Sequence, residues 1–142
     1  MKEPQTGPSC GDQRVVRGRR GEEAARVLLE RRGYQIVDVN VRFGKRSGLR
    51  GELDIIAWDG QTLCFVEVKA RRQGWGDIAP AAAVTPAKQT QIARLAVAYA
   101  IRYGLNDGIP LRFDVVAVLL GRDGETIVRA DLIQGAFLAR SG

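Results

Sequence analysis

The sequence predicts an α/β domain, a mixed β-sheet flanked by helices, with elements in the order α-β-β-β-α-β-β. Three observations predict this class. Apolar runs of strand length recur along the chain, segments with apolar residues at helical spacing lie before and between them, and glycine-rich or charged turns separate them. A length of 142 residues suits one compact domain, so we expect a single domain over 14–142 behind a disordered polar tail over 1–13.

The first half of the chain is predicted to hold one helix and three strands. Ala25 and Leu29 belong to an apolar stripe at helical spacing, and Gly33 is a natural helix end, which predicts a helix over 19–32. Alternating or mostly apolar runs between turn signals predict three strands, at 34–43, 51–58 and 62–71.

The second half is predicted to hold one further helix and a β-hairpin. Thr85 suits the N-cap and Pro86 the first position of a helix over about 86–103. The apolar run at 111–120 predicts a strand, and a glycine-containing turn joins it to a last strand near 126–131.

The chain contains no histidine. This excludes the Ser-His-Asp and Cys-His mechanisms, an imidazole general base and histidine-ligated zinc. Two isolated cysteines, Cys10 and Cys64, form neither a disulfide framework nor a zinc site, which favours a reducing, cytoplasmic setting. No apolar run approaches the roughly 20 residues of a membrane span, so we expect no membrane partner.

The net charge of +6 is concentrated in one segment, since residues 14–72 hold 14 basic and 8 acidic residues. A basic excess of this kind favours nucleic acid as the partner. The basic side chains expected to contact phosphates are Arg19, Arg20, Arg46, Arg50, Arg71, Arg72 and Lys88. Lys88 stands out because a positive charge is disfavoured near a helix N-terminus.

Two neighbouring strands carry the charged residues that predict chemistry. Side chains alternate between the faces of a strand, so Glu67 and Lys69 share one face of the third strand. A tight turn at 59–60 would pair Trp58 with Gln61, and a longer turn over 59–62 would pair it with Leu63. Both registers bring Asp54 onto the face of Glu67 and Lys69.

Two carboxylates and an ammonium group suit phosphodiester hydrolysis. Carboxylate oxygens bind Mg²⁺ or Mn²⁺, and such a metal lowers the pKa of bound water and polarises the phosphate. A lysine beside that water orients it and stabilises the developing charge. None of these steps requires histidine.

Asp54 followed by Glu67-Val68-Lys69 on the next strand resembles the PD-(D/E)xK nuclease motif, although Leu53 stands where that motif has proline. Further segments match the YraN-like family in order and span about 18–135: GRRGEEAA (18–25), RGY (32–34), GELDIIA (51–57), FVEVKAR (65–71) and RFDVV (112–116). The resemblance implies a restriction-endonuclease-like fold similar to Holliday-junction resolvases, and extends the expected substrate to branched or structured DNA.

The resemblance also implies roles by position. Asp54, Glu67 and Glu22 correspond to metal ligands for Mg²⁺ or Mn²⁺, with the Val68 carbonyl as a further candidate, and Lys69 corresponds to the water-activating lysine. Glu52 is a candidate without an assigned role, and Trp75 either stacks on a base or packs onto the domain. Resolvase-like nucleases often act as dimers, which leaves a homodimer open.

The leading hypothesis is therefore a metal-dependent endonuclease acting on DNA rather than RNA. A nucleic-acid-binding module of the same fold without independent turnover is the alternative. A scaffold that contacts an acidic protein through the basic surface is the third interpretation. Affinity of the site for divalent metal distinguishes the first two, and a steep salt dependence of DNA binding argues against the third.

Overall fold

The computed structural model describes residues 10–74 and 84–138, with side chains from residue 19 onward. A five-stranded sheet carries one helix on each face, and the predicted element order and fold class are confirmed. In chain order the elements are α1 (Cys10–Arg31), β1 (Gln35–Arg42), a 3-10 helix (Lys45–Ser47), β2 (Glu52–Asp59), β3 (Thr62–Arg72), α2 (Pro86–Arg102), β4 (Leu111–Leu120) and β5 (Ile127–Phe137).

The strands lie in the order β1-β2-β3-β4-β5, and only β3 and β4 run parallel. The parallel pair follows from chain connectivity, because α2 lies between β3 and β4 and returns the chain to the end of the sheet at which β3 begins. The three antiparallel pairs join strands that follow each other directly along the chain.

Helix α1 covers one face of the sheet. Its buried Ala25 and Leu29 pack with residues such as Ile55, Cys64 and Val66. Helix α1 also comes unusually close to β3, because a Cβ added at Gly21 would lie 3.0 Å from the Cβ of Ala70. A glycine at this contact lets the helix backbone approach the strand.

Helix α2 covers the other face, and it begins as the sequence predicts. Thr85 is the N-cap, and its hydroxyl accepts a hydrogen bond from the backbone N–H of Lys88 at 3.2 Å. The buried side of α2, which includes Tyr99, packs against Phe65, with the two rings edge-to-face at 6.0 Å. Each large apolar side chain buried here contributes on the order of 2 kcal/mol.

Two elements are longer than the sequence predicts. Helix α1 starts at Cys10, not at residue 19, so it includes part of the segment expected to be a tail, while residues 1–9 lie outside the described residues. Strand β5 continues to Phe137 instead of ending near 131, through a register shift opposite β4 between Phe113 and Val115. Among the described residues, no helix has the length and apolar character to cross a membrane.

Candidate functional site

The β2–β3 hairpin adopts one of the two predicted registers, with Trp58 opposite Leu63. Asp59 pairs with Thr62, so the connection is shorter than the turn we expected for this register. Backbone pairing of β2 with β3 ends at Ile55, and the Asp54 carboxylate then accepts a hydrogen bond from the Val68 N–H at 2.9 Å. The strands thus separate at Asp54, and a side chain takes the place of a backbone partner.

Three carboxylates meet where these strands separate. Glu22 from α1 and Glu52 and Asp54 from β2 each offer an oxygen within 4.8 Å of the others. We call these three residues the acidic cluster. Glu22 reaches the cluster because Gly21, its neighbour, allows the close approach of α1 to β3.

Strand β1 supplies hydrogen-bond donors to two members of the acidic cluster. The Asn40 side-chain amide donates to Glu22 at 3.2 Å, and the Arg42 guanidinium donates to Glu52 at 2.7 Å. Asn40 is the one non-glycine residue with positive φ (50°) among the described residues. Such a backbone conformation inside a strand is uncommon and tends to occur at functional sites.

Glu67 and Lys69 lie beside the acidic cluster on β3. The Glu67 side chain is 9% exposed, and the Lys69 ammonium lies 3.9 Å from its carboxylate. The Lys69 side chain is 34% exposed, so it is partly open to solvent. Glu67 is not a member of the group within 4.8 Å, and its role as a metal ligand stays a prediction.

The crowding of negative charge shifts the acid–base behaviour of the site. Burial is the largest cause, and with the negative charges of Glu67, Glu52 and Glu22 it raises the pKa of Asp54 to about 7. Burial also raises the pKa of Glu67, although the positive charges of Lys88 and Lys69 oppose that rise. The charged state of these carboxylates is therefore costly in the absence of a cation.

The residues present fit a hard divalent cation. Three carboxylate oxygens within 4.8 Å of one another are the donor set that Mg²⁺ and Mn²⁺ prefer, and the acidic cluster contains neither cysteine nor histidine. Glu22, Glu52 and Asp54 would hold such an ion. Glu52, to which the sequence assigned no role, thus becomes a candidate ligand on geometric grounds.

We expect Asp54→Asn to stabilise the metal-free protein at pH 8. The pKa of Asp54 rises from 3.8 to about 7 on folding, so stability is lost as the pH rises through that interval. Asparagine removes the charge, and its carbonyl oxygen can still accept from Val68. We expect the free energy of unfolding to increase by about 2 kcal/mol, which is less than the full pKa shift implies because the side chain is partly exposed. Urea unfolding measures this gain.

The same experiment at pH 4 is the control, because there the wild-type carboxylate is largely protonated and the two proteins should be nearly equal in stability. Mn²⁺ should raise the melting temperature of the wild type more at pH 8 than at pH 5, and raise that of the variant less at either pH. A variant less stable than the wild type at pH 8 would contradict the electrostatic account.

The predicted phosphate-binding residues lie in three places. Arg46 and Arg50 are exposed on the loop that precedes β2, and Lys88 lies in the first turn of α2, near enough to Glu67 to influence its charge. Arg71 and Arg72 are half-buried at the end of β3. The other two lie on α1, where Arg19 is exposed and Arg20 donates to the Glu125 carbonyl and pairs with Glu23.

Sequence reasoning missed the contributions of β1. The run DVNVRF has the alternation of an ordinary strand, and neither the positive φ of Asn40 nor its bond to Glu22 follows from that pattern. The pairing of Arg42 with Glu52 does not follow from it either. Trp75, the other candidate without a settled role, lies outside the described residues.

Comparison with known proteins identifies relatives over most of the chain. The model of the uncharacterised protein family UPF0102 matches residues 21–118. A UPF0102 protein of Symbiobacterium thermophilum is 50% identical over 123 residues, which cover 86% of this chain and 96% of the relative. A UPF0102 protein of Geobacter sulfurreducens is 47% identical over 106 residues, covering 74% and 77%. The YraN-like resemblance predicted from the motifs is thereby confirmed, and the chain belongs to protein family UPF0102.

Proposed function

We propose that this protein is a metal-dependent endonuclease that hydrolyses phosphodiester bonds in DNA. The observation that carries the proposal is the position of Lys69 next to the acidic cluster, since it lies 3.9 Å from Glu67 on the strand whose Val68 N–H donates to Asp54 at 2.9 Å. A cation site and a cationic side chain at one place are what a phosphodiester hydrolase needs. The resemblance to PD-(D/E)xK nucleases supports the same reaction.

The chain's own residues divide the task between binding and charge stabilisation. Glu22, Glu52 and Asp54 would hold a divalent cation, which when bound supplies Lewis acidity and an acidified water. Lys69 is partly exposed and so can contact an incoming phosphate, and its ammonium group lies 3.9 Å from the Glu67 carboxylate. Lys88, whose charge acts on Glu67, lies on the α2 side of the site and adds positive potential towards the phosphate.

The direct test is incubation of the purified protein with duplex, single-stranded, flapped and branched DNA in Mg²⁺, Mn²⁺ or EDTA. We expect internal cleavage with either metal and none in EDTA, and the branched substrates test the resolvase-like preference that the resemblance implies. DNA that stays intact in both metals while binding the protein would overturn the endonuclease proposal in favour of a nucleic-acid-binding module. DNA that neither binds nor is cut would overturn both.

A further inference from the structure

A groove lies near the candidate site on the side of α2. A groove of about 450 Å³ opens between the loop before β2 and the N-terminal half of α2. We call it the α2 groove; its lining includes Gly48, Arg50, Lys88, Thr90, Gln91 and Arg94. Arg94 was not among the residues that the sequence singled out.

The α2 groove has a positive charge and no opposing acid. Arg50, Lys88 and Arg94 supply three cationic side chains, and among the described residues that line it none is acidic. The neutral lining residues Thr90 and Gln91 add hydroxyl and amide groups that can bond to phosphate oxygens. This combination suits a polyanion that runs along the groove, rather than a compact apolar ligand.

The loop that forms one wall of the groove is fixed in place. The Gln91 side-chain amide donates to the Arg50 carbonyl at 2.8 Å, and Leu49 packs against the core on the α2 face. Gly51 has φ of 89°, and a Cβ there would lie 2.7 Å from the Gln91 side-chain nitrogen. The position needs glycine for its backbone conformation, and a larger residue would also displace the Gln91 side chain that bonds to Arg50.

The α2 groove also leads away from the candidate site. Lys88 connects the two, because it lines the groove and its positive charge opposes the rise in the pKa of Glu67. From Lys88 to Arg94 the helix axis rises by about 9 Å, at 1.5 Å per residue. This distance corresponds to two or three steps of a B-form strand, at about 3.4 Å per step.

We propose that the α2 groove binds the phosphodiester backbone of the DNA strand that flanks the bond positioned at the acidic cluster, with Arg94 contacting a phosphate away from that bond. This inference rests on the proposed nuclease function and adds to it the path of the strand. Contacts of this kind position a strand without reading its sequence. Arg94 is a binding residue in this account and does not take part in the chemistry.

The test is DNA binding by Arg94→Glu in EDTA, where no cleavage occurs. Binding is measured by fluorescence anisotropy over a range of salt concentrations. We expect affinity at least about tenfold weaker than wild type and a salt slope smaller in magnitude by about one. Arg32→Glu is the matched control, since Arg32 is an exposed arginine directly after α1, away from the groove, and should change binding much less. Arg50→Glu should weaken DNA binding as Arg94→Glu does. A loss shared by both variants would not be explained by a folding defect in one of them.

A strand in which every linkage is an uncharged methylphosphonate should bind wild type and Arg94→Glu equally, because the proposed contact is to phosphate charge. Equal losses in Arg94→Glu and Arg32→Glu would overturn the groove proposal while leaving the nuclease proposal standing. Failure of the wild type to bind DNA at all would instead overturn the nuclease proposal. A methylphosphonate strand that binds Arg94→Glu more weakly than it binds wild type would also contradict a phosphate contact.

Discussion

Replacement of Lys69 by methionine is expected to slow metal-dependent DNA cleavage by about 10²–10⁴-fold, the range seen when one charge-stabilising or proton-transferring group is removed. Methionine keeps the unbranched shape of the side chain and removes only the ammonium group. Lys69 lies 3.9 Å from Glu67 and is partly exposed, so it is poised to meet substrate more than to support the core. The measurement is the single-turnover cleavage rate at saturating protein.

Two controls distinguish a loss of catalysis from a loss of DNA affinity and from the general effect of removing one positive charge. DNA affinity in EDTA should fall by less than the cleavage rate, since Lys69 supplies one contact among many basic ones. Arg32→Met removes the same charge from an exposed position and should cleave at nearly the wild-type rate. A Lys69→Met protein that retains more than a tenth of wild-type cleavage would remove Lys69 from the mechanism.

The register of the β2–β3 hairpin was predictable because strand alternation and turn length leave few choices. Turns of two or four residues would put Asp54 on the face of Glu67 and Lys69, and the observed pairing of Trp58 with Leu63 is one of those two registers. The acidic cluster was only half predictable. Glu52 shares the face of Asp54 by the same alternation, but its place beside Glu22 depends on how α1 crosses the sheet.

The hydropathy pattern of the sequence could not locate the ends of two elements, and the reason is local in each case. The segment at 10–18 has little apolar periodicity, so nothing in it signals a helix, yet α1 begins at Cys10. In β5, Gly135 has the character of a strand end, but the strand continues through it. The Gly135 N–H donates to Asp114 at 2.9 Å, a partner 21 residues away that no local pattern reveals.

That contact belongs to a buried polar network on the α1 face of the sheet. Asp114 is fully buried and accepts hydrogen bonds from Tyr34 at 2.8 Å and from Arg112 at 2.9 Å. Arg112 also pairs with Asp59 at 2.7 Å. The segments RGY and RFDVV, which carry part of the family resemblance, thus meet in space to satisfy one buried carboxylate.

The charge state of Asp114 follows from these bonds. Burial raises its pKa, but the hydrogen bonds from Arg112, Gly135 and Tyr34 outweigh burial and hold the pKa below its usual value. Burial raises the pKa of Tyr34 to about 12, so its hydroxyl stays protonated and donates. Because the carboxylate is favoured in the folded state, its contribution to stability is present above the unfolded pKa near 3.8 and is lost as the pH falls through the lower folded value.

Replacement of Asp114 by alanine is therefore expected to cost about 3–5 kcal/mol of unfolding free energy, the largest loss of stability that we expect from a single polar substitution here. The loss arises because the Tyr34 hydroxyl, the Gly135 N–H and part of the Arg112 guanidinium lose a buried acceptor together. Urea unfolding at pH 7 measures it. Asp114→Asn keeps the shape and removes the charge, and should fall between alanine and wild type.

Asp131→Ala is the matched control, because Asp131 pairs with Arg129 at 2.7 Å on the surface of β5, where the two side chains are 45% and 69% exposed. A surface pair of that kind contributes about 0–1 kcal/mol, so the two alanine variants should differ several-fold in cost. The network lies on the α1 face and the Lys69 side chain on the other, so folded Asp114→Asn should still cleave DNA at close to the wild-type rate below its melting temperature. Similar costs for Asp114→Ala and Asp131→Ala would show that burial gives this carboxylate no special role in the fold.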